Sequence, residues 1–425
     1  MQTESFLTTV QDLDLSVTGE TAPLPQRFMF ATGIECSNPT IDNGRVRRDL
    51  LAECGHYTHW QQDLALVREL GLTFLRYGLP YHLVHLGPGR FDWSFTDCVM
   101  LEMRDKGIEP ILDLLHFGVP DWIGNFQNPA LPRHFAEYAA AVAARYPWVR
   151  YWTPVNEIYV SARMSTLDGL WNEQIRTDLA FVTALKHLTA ASKLACAAIT
   201  RARPDCVIVH SESAEVVHEA RLLLSPGVVA ANKQRFLALD LLFARRSCRQ
   251  MTDYLLANGM TPAEHAWFMQ GEPSGHQILG ADYYGRNEHI IKPCGKRFAI
   301  EDVMGWYLIA KDYIERYRKP LMHTETNVFD PAAAAGWLWK QWISILRMRE
   351  DGMPVLGFTW YSLVDQVDWN IGLSEKLGVV NGCGLYNMAR QPNPVALEYR
   401  ALIEEFGSLP LAIRSARRQR RTELA

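Results

Sequence analysis

Two glutamates stand at the ends of short apolar runs, each inside a cluster of polar residues. One segment is Tyr151-Trp152-Thr153-Pro154-Val155-Asn156-Glu157; the other is Pro320-Leu321-Met322-His323-Thr324-Glu325-Thr326-Asn327. A pair of carboxyl groups suits acetal cleavage. One protonates the departing oxygen, and the other attacks carbon or activates water. The two roles require one group to keep its proton near neutrality and the other to stay ionised. Glu157 and Glu325 lie 168 positions apart, so only a fold that brings the chain back on itself can pair them.

A repeating rhythm provides such a fold. Apolar runs occupy 28–34, 72–79, 109–116, 150–157, 206–212, 278–285, 320–326 and 354–362. Amphipathic stretches separate them: Gln61–Leu70 (stopped by Gly71), Phe95–Arg104, Arg133–Arg145, Thr177–Arg201, Glu301–Tyr317 and Trp337–Glu350. Strands alternating with helices build a parallel sheet, and eight units predict an α/β fold, a single (β/α)8 TIM barrel. The segment 213–277 is too long for one helix and predicts extra helices in the loops, at Lys233–Arg246 and Thr261–Met269. No internal repeat or linker divides the chain. The expected organisation is a loosely ordered N-terminal arm over 1–25, a catalytic barrel over 26–410 and a basic, flexible tail over 411–425, which contains RSARRQRR.

Active sites of such barrels lie at the C-terminal ends of the strands. That rule selects Arg76, His116, Asn156, Glu157, Asp282-Tyr283-Tyr284, Glu325 and Trp360, followed by Asp365, Asp368 and Trp369. Arg76 beside Glu325 would keep that carboxylate charged. Tyr284 would donate a hydrogen bond to it, strand alternation turning only one of Tyr283 and Tyr284 inward. Burial and the negative Glu325 would keep Glu157 protonated, making it the acid.

Composition narrows the class. The net charge of −4 argues against nucleic acid as a partner. No run of eighteen apolar residues reads as a membrane span. Met1–Glu20 carries acidic residues and no sustained apolar stretch, so no secretory signal is expected there. Eight cysteines without a CxxC pair read as reduced thiols in a cytoplasmic protein. His56 and His59, with His82 and His85 downstream, lack convincing third and fourth ligands, and Gly87-Pro88-Gly89 reads as a turn. No metal and no cofactor is expected. Trp306, Trp337 and Trp342 fall on helical patterns and read as core.

Taken in order and spacing, these segments resemble glycoside hydrolase family 1, the β-glucosidase type of retaining glycosidase, from Phe28 to Tyr399. The resemblance rests on Phe30-Ala31-Thr32-Gly33; on His59-Trp60-Gln61-Gln62-Asp63 through Leu75-Arg76; and on Lys106-Gly107-Ile108-Glu109-Pro110 with Leu115-His116-Phe117 and Pro120. It rests further on Trp152-Thr153-Pro154-Val155-Asn156-Glu157, on Thr324-Glu325, and on Trp360-Tyr361-Ser362-Leu363-Val364-Asp365 with Asp368-Trp369 and Gly372. It implies that Glu157 is the acid/base and Glu325 the nucleophile. Asn156 would hold the sugar 2-hydroxyl and His116 a ring hydroxyl, with Arg76 and Tyr284 supporting the nucleophile. Trp360 would lie under the ring, and Asp368 and Trp369 would sit in the loop that grips it. The implied partner is a small-molecule glycoside or oligosaccharide, and homo-oligomerisation stays open. Departures from the pattern are Ile158 where the family has Pro, Thr326-Asn327 for Asn-Gly, Asp282 for Asn and Asp368 for Glu. Glu35 or Asn38 stands where a first-strand Gln is usual. The reading is a retaining β-O-glycosidase; the alternatives are a transglycosidase and a non-catalytic carbohydrate-binding barrel.

Overall fold

Eight parallel strands close on themselves in the computed structural model, which describes residues 6–10, 13, 15, 17, 25, 27–219, 225–292 and 297–410. They are β1 Met29–Gly33, β2 Phe74–Gly78, β3 Glu109–Asp113, β4 Tyr151–Thr153, β5 Val207–Ser213, β6 His276–Asp282, β7 Leu321–His323 and β8 Val355–Trp360. Each pairs in parallel with its sequence neighbour, and β1 pairs with both β2 and β8 to close the ring. All eight lie on the apolar runs of the sequence. Most strands are shorter than their runs, which also span the turn that leads into the mouth; β5, at seven residues, is as long as its run.

Period-two alternation divides every strand between two cores. Met29, Ala31, Ile111, Val209, Ile278 and Met322 point into the barrel and fill it. The opposite faces pack against the helices, where Leu75, Leu112, Ile208, Leu279 and Phe358 join the larger outer core. Each fully buried aliphatic side chain contributes about 1.5–3 kcal/mol, so the scaffold under the mouth is stiff.

The main helices run His56–Glu69, Ser94–Asp105, Leu131–Arg145, Asp178–Ala202, Gly305–Tyr317, Pro331–Glu350 and Pro394–Phe406. Their starts follow local chemistry. Thr177 accepts from the Ala180 amide, and Asp330 accepts from Ala332 with Pro331 at the first helical position. Gly71 follows the first of them with φ +81°, a left-handed stop suited to glycine.

The single helix expected over Lys233–Arg246 is instead two, Pro226–Gln234 and Leu237–Leu242, separated by Arg235-Phe236. Arg235 turns there to donate to the Glu215 carbonyl and to Asp312. Thr261–Met269 holds the helix Pro262–Phe268, started by a capping box between Thr261 and Glu264. The expected loose arm also needs correction. Phe6–Val10 is a helix, and the buried Phe6 ring packs on His187, Trp267 and Phe268. Apolar contact thus docks that part of the arm on the barrel's helices. The basic tail lies outside the described residues. Among the described residues, seven cysteines are free thiols, and no helix is long and apolar enough to cross a membrane.

Candidate active site

β2 brings Arg76 to the mouth of the barrel, and β7 leads into Glu325. The guanidinium grips Glu325 Oε1 through Nη1 and reaches Asp113 Oδ2 at 3.1 Å and Asn156 Oδ1 at 2.8 Å through Nη2. Tyr284 donates its hydroxyl to Glu325 Oε2 at 2.7 Å. Both oxygens of Glu325 therefore accept from strong donors, which fixes the carboxylate in place. Burial and the Glu325 charge keep the Tyr284 phenol well above its ordinary range, so it remains a donor. Tyr283 points the other way, to Glu288 and Asp302, as strand alternation requires.

Glu157 meets the opposite environment. It follows β4 in the left-handed region, φ 43° and ψ 65°, and its amide donates to the Ser211 carbonyl of β5 at 2.9 Å. A non-glycine residue held there marks a backbone fixed by its surroundings. Burial raises its carboxyl pKa well above the ordinary carboxylate range, and the neighbouring carboxyl groups of Asp282, Glu325 and Glu212 add to the effect. The mouth thus holds one carboxylate clamped by cationic and phenolic donors and one carboxyl that favours its proton.

Asn156 and His116 form a relay beside the pair. Asn156 Oδ1 is committed to Arg76, so the amide turns Nδ2 towards His116 Nε2 at 3.1 Å. Nε2 must then accept, which places the ring proton on Nδ1, where Asp113 Oδ2 takes it at 2.9 Å. The Asp113 carboxylate favours a cationic ring, but the amide geometry fits the neutral tautomer. Both ring nitrogens have protein partners, so His116 orients Asn156. The amide keeps one hydrogen and one lone pair available for a ligand hydroxyl. Cys36 Sγ lies 3.3 Å from His116 Nδ1. The donor atoms of Cys36, Asp113 and His116 lie within 4.8 Å of one another, yet Nδ1 carries the proton and Arg76 shares the Asp113 oxygen. The cluster is better suited to hydrogen bonding than to a cation.

Two expected sugar contacts are placed elsewhere. Trp360 is fully buried in the layer between barrel and helices, where its indole Nε1 donates to the Cys383 carbonyl at 2.9 Å. The next residue faces the mouth. The Tyr361 ring lies 5.6 Å from the Arg76 guanidinium and 6.3 Å from the His116 ring, nearly parallel to it. Gly33 makes room for it, since a Cβ there would stand 2.3 Å from the ring. Asp368 is also fully buried. Its oxygens accept from the amides of Leu377, Gly378 and Val379 at 2.8–2.9 Å, and Oδ2 pairs with Arg48 at 3.0 Å. Burial opposes its charge, but these amides and Arg48 outweigh burial and lower its pKa. Asp368 is buried as a loop anchor, with both oxygens engaged by protein donors. Trp369 is partly buried, edge-on to Phe117 and Trp171, and its Nε1 has no partner among the described residues.

Asp113 and Glu212 went unselected in the sequence, whereas Asp282 was picked out at its strand end and Glu35 and Asn38 as stand-ins for a first-strand Gln. Asp113 continues the inward face of Ile111, a parity that the run EPILD makes readable. Asp282, inward on β6, accepts from Ser211 Oγ. Glu212 accepts from the amides of Tyr159 and Ser213. Glu35, raised above the ordinary carboxylate range by burial, accepts from the Ser37 amide and from Gln366 Nε2 at 3.1 Å. Asn38 leaves its side-chain oxygen without a partner among the described residues. Trp337, read as core, donates to Thr326 Oγ1 at 2.7 Å, next to Glu325.

The family model described as glycosyl hydrolase family 1 matches residues 40–243. Beta-glucosidase A of Thermotoga maritima is 23% identical over 389 residues, covering 77% of this chain and 81% of that protein. Both likenesses point to glycosyl hydrolase family 1. A 1,4-beta-D-glucan glucohydrolase of Thermotoga neapolitana is similar at 22% identity, over 77% of this chain and 85% of that one. The fold also matches a solved beta-glucosidase from Thermotoga maritima in complex with a methoxycarbonyl-substituted glucoimidazole. The TM-score is 0.74 at 17% identity, over 90% of this chain and 99% of that one. The family-model match and the beta-glucosidase relatives support a glycoside hydrolase.

Proposed function

We propose that the enzyme cleaves a β-O-glycosidic bond with retention, through a covalent glycosyl-enzyme. Glu325 attacks the anomeric carbon while Glu157 protonates the departing oxygen. The carboxylate left on Glu157 then draws a proton from water, which releases the sugar and restores both groups. The observation that carries this reading is the contrast between the two glutamates. Arg76 and Tyr284 clamp Glu325 between a cation and a phenolic donor, whereas burial among other carboxyls raises the pKa of Glu157. One environment suits a nucleophile and the other a general acid.

The relatives' names favour a β-glucoside or β-glucan end as substrate. The far side of the mouth argues for a modified grip, because Asp368 is committed to Arg48 and three amides. Glu35, Asn38, Gln366 and Trp369 are left to meet the outer hydroxyls. A panel of aryl glycosides of several sugars, in both anomers, tests the reading. Turnover of β-anomers with first-formed β product supports it. Exclusive turnover of α-anomers, or an inverted first product, overturns it. Added alcohol or sugar acceptors separate hydrolysis from transfer in the same assay.

A further inference from the structure

Glu157 stands at the mouth and is also the N-cap of the nine-residue helix Ile158–Thr166. A helix start leaves amides without intrahelical acceptors, and the N-cap side chain ordinarily takes one of them. A glutamate that did so would turn its carboxyl back onto its own helix and away from the mouth. Among the described residues, the Glu157 side chain makes no capping hydrogen bond. Its backbone is left-handed, whereas a self-capping residue is ordinarily extended.

The acceptor comes from the neighbouring strand instead. Glu212 lies near the end of β5, on the same parity as Ile208, so it faces the helix layer and not the barrel interior. It is buried, and both its carboxyl oxygens lie 3.2 Å from the Tyr159 amide at the second helical position. Oε1 also accepts from the Ser213 amide at 3.2 Å. Ser211, one residue earlier, offers its carbonyl to the Glu157 amide at 2.9 Å. Two successive residues of β5 thus hold the chain on either side of the Glu157 side chain. Ser161 completes the grip. Its amide donates to the Glu157 carbonyl at 2.8 Å, and its hydroxyl donates to the Asn156 carbonyl at 3.2 Å.

We propose that Glu212 is a positioning residue for the acid: it caps the helix in place of Glu157 and so leaves the Glu157 carboxyl to face the departing oxygen. This rests on the reading of Glu157 as the acid. Removal of Glu212 leaves the buried Tyr159 amide without its acceptor, which is costly. A left-handed glutamate persists only while its surroundings hold it. Released, it relaxes towards the extended conformation in which an N-cap side chain takes that amide for itself. Proton donation suffers, while the Glu325 clamp of Arg76 and Tyr284 is untouched.

The test compares Glu212→Leu, which has no acceptor, with Glu212→Gln, which keeps an oxygen for both amides. On alkyl glycosides, whose leaving groups need the acid, Glu212→Leu should lose about a hundredfold in kcat/KM, the scale for a displaced catalytic group. On dinitrophenyl glycosides, which leave without a proton, it should stay within about fivefold of wild type. Glu212→Gln should follow wild type on both. An equal loss on the two substrate classes marks a merely structural role and overturns the proposal, as does a Glu212→Leu profile that matches wild type or a Glu212→Gln profile that matches Glu212→Leu. Should Glu212→Leu not fold, Glu212→Asp, one methylene shorter, carries the same prediction. Hydrogen–deuterium exchange of the peptide that carries Tyr159 gives an arm independent of turnover. Its amide should exchange faster in Glu212→Leu than in wild type and at the wild-type rate in Glu212→Gln; unchanged exchange in Glu212→Leu overturns the proposal. Failure of wild type on every glycoside sinks the proposed function, and the exchange arm still decides whether Glu212 caps the helix.

Discussion

Asp368→Asn separates a loop anchor from a sugar grip. In wild type, three backbone amides and Arg48 converge on this buried carboxylate. An asparagine keeps one acceptor oxygen and turns an amide donor towards groups that are themselves donors. Each buried amide left without a partner costs about 1 kcal/mol or more. Arg48 keeps Glu53, at 3.0 and 2.6 Å, which limits the ionic loss. The expected destabilisation is about 3–5 kcal/mol. An unfolding entropy of about 2.1 cal/mol/K per residue gives, for 425 residues, roughly 1 °C per kcal/mol, so Tm at pH 7 should fall by about 3–5 °C. The pH dependence has a definite sign. The folded pKa of Asp368 is depressed, so its contribution is present above the unfolded value of about 3.9. It is lost as pH falls through the folded value. The gap in Tm between variant and wild type should persist from pH 7 to pH 5 and close in more acidic solution. Calorimetry across that range is the assay. An unchanged Tm together with a raised KM would refute the anchoring role and return Asp368 to the sugar.

Other substitutions address the rest of the mouth. Arg76→Met leaves Glu325 and Asp113 buried without their cation; it should cost about 3–5 kcal/mol of stability and abolish turnover, since Glu325 loses the donor that holds it in place. Retention of near-normal kcat would contradict the clamp. Trp360→Phe should lower stability by about 1 kcal/mol through the lost bond to the Cys383 carbonyl and leave KM unchanged, whereas Tyr361→Ala should raise KM. The reverse pattern would show that Trp360 is the aromatic that meets substrate. Glu157→Ala should retain turnover of glycosides with good leaving groups and lose that of poor ones by orders of magnitude, measured as kcat/KM against leaving-group acidity. An equal loss on both would remove Glu157 from the acid role.

The barrel was legible because eight apolar runs alternated with amphipathic helices at lengths that no other common fold requires. The catalytic pair was legible because each glutamate closed such a run within a polar cluster. Parity was harder to read. In the run 354–362 both faces of the strand are buried, so Trp360 and Tyr361 are equally apolar, and the alternation that distinguishes them has no polar mark. The register irregularity between β7 and β8 at Leu321/Met322 hides that parity further. Asp368 misled for a different reason. Its partners are backbone amides nine to eleven residues ahead and an arginine 320 positions behind, none of which a local pattern reveals. In the arm, Phe6, Leu7 and Val10 form too short an apolar set to stand out before Trp267 and Phe268 are seen beneath it.

The most direct test of the central claim is trapping the covalent intermediate. A 2-deoxy-2-fluoro β-glycoside with a good leaving group slows breakdown of the glycosyl-enzyme, and mass spectrometry of the digested protein locates the sugar. The account predicts one glycosyl group on the peptide that carries Glu325, and none in Glu325→Ala. A sugar found on another carboxylate, or steady turnover with no adduct and an inverted product, would contradict it.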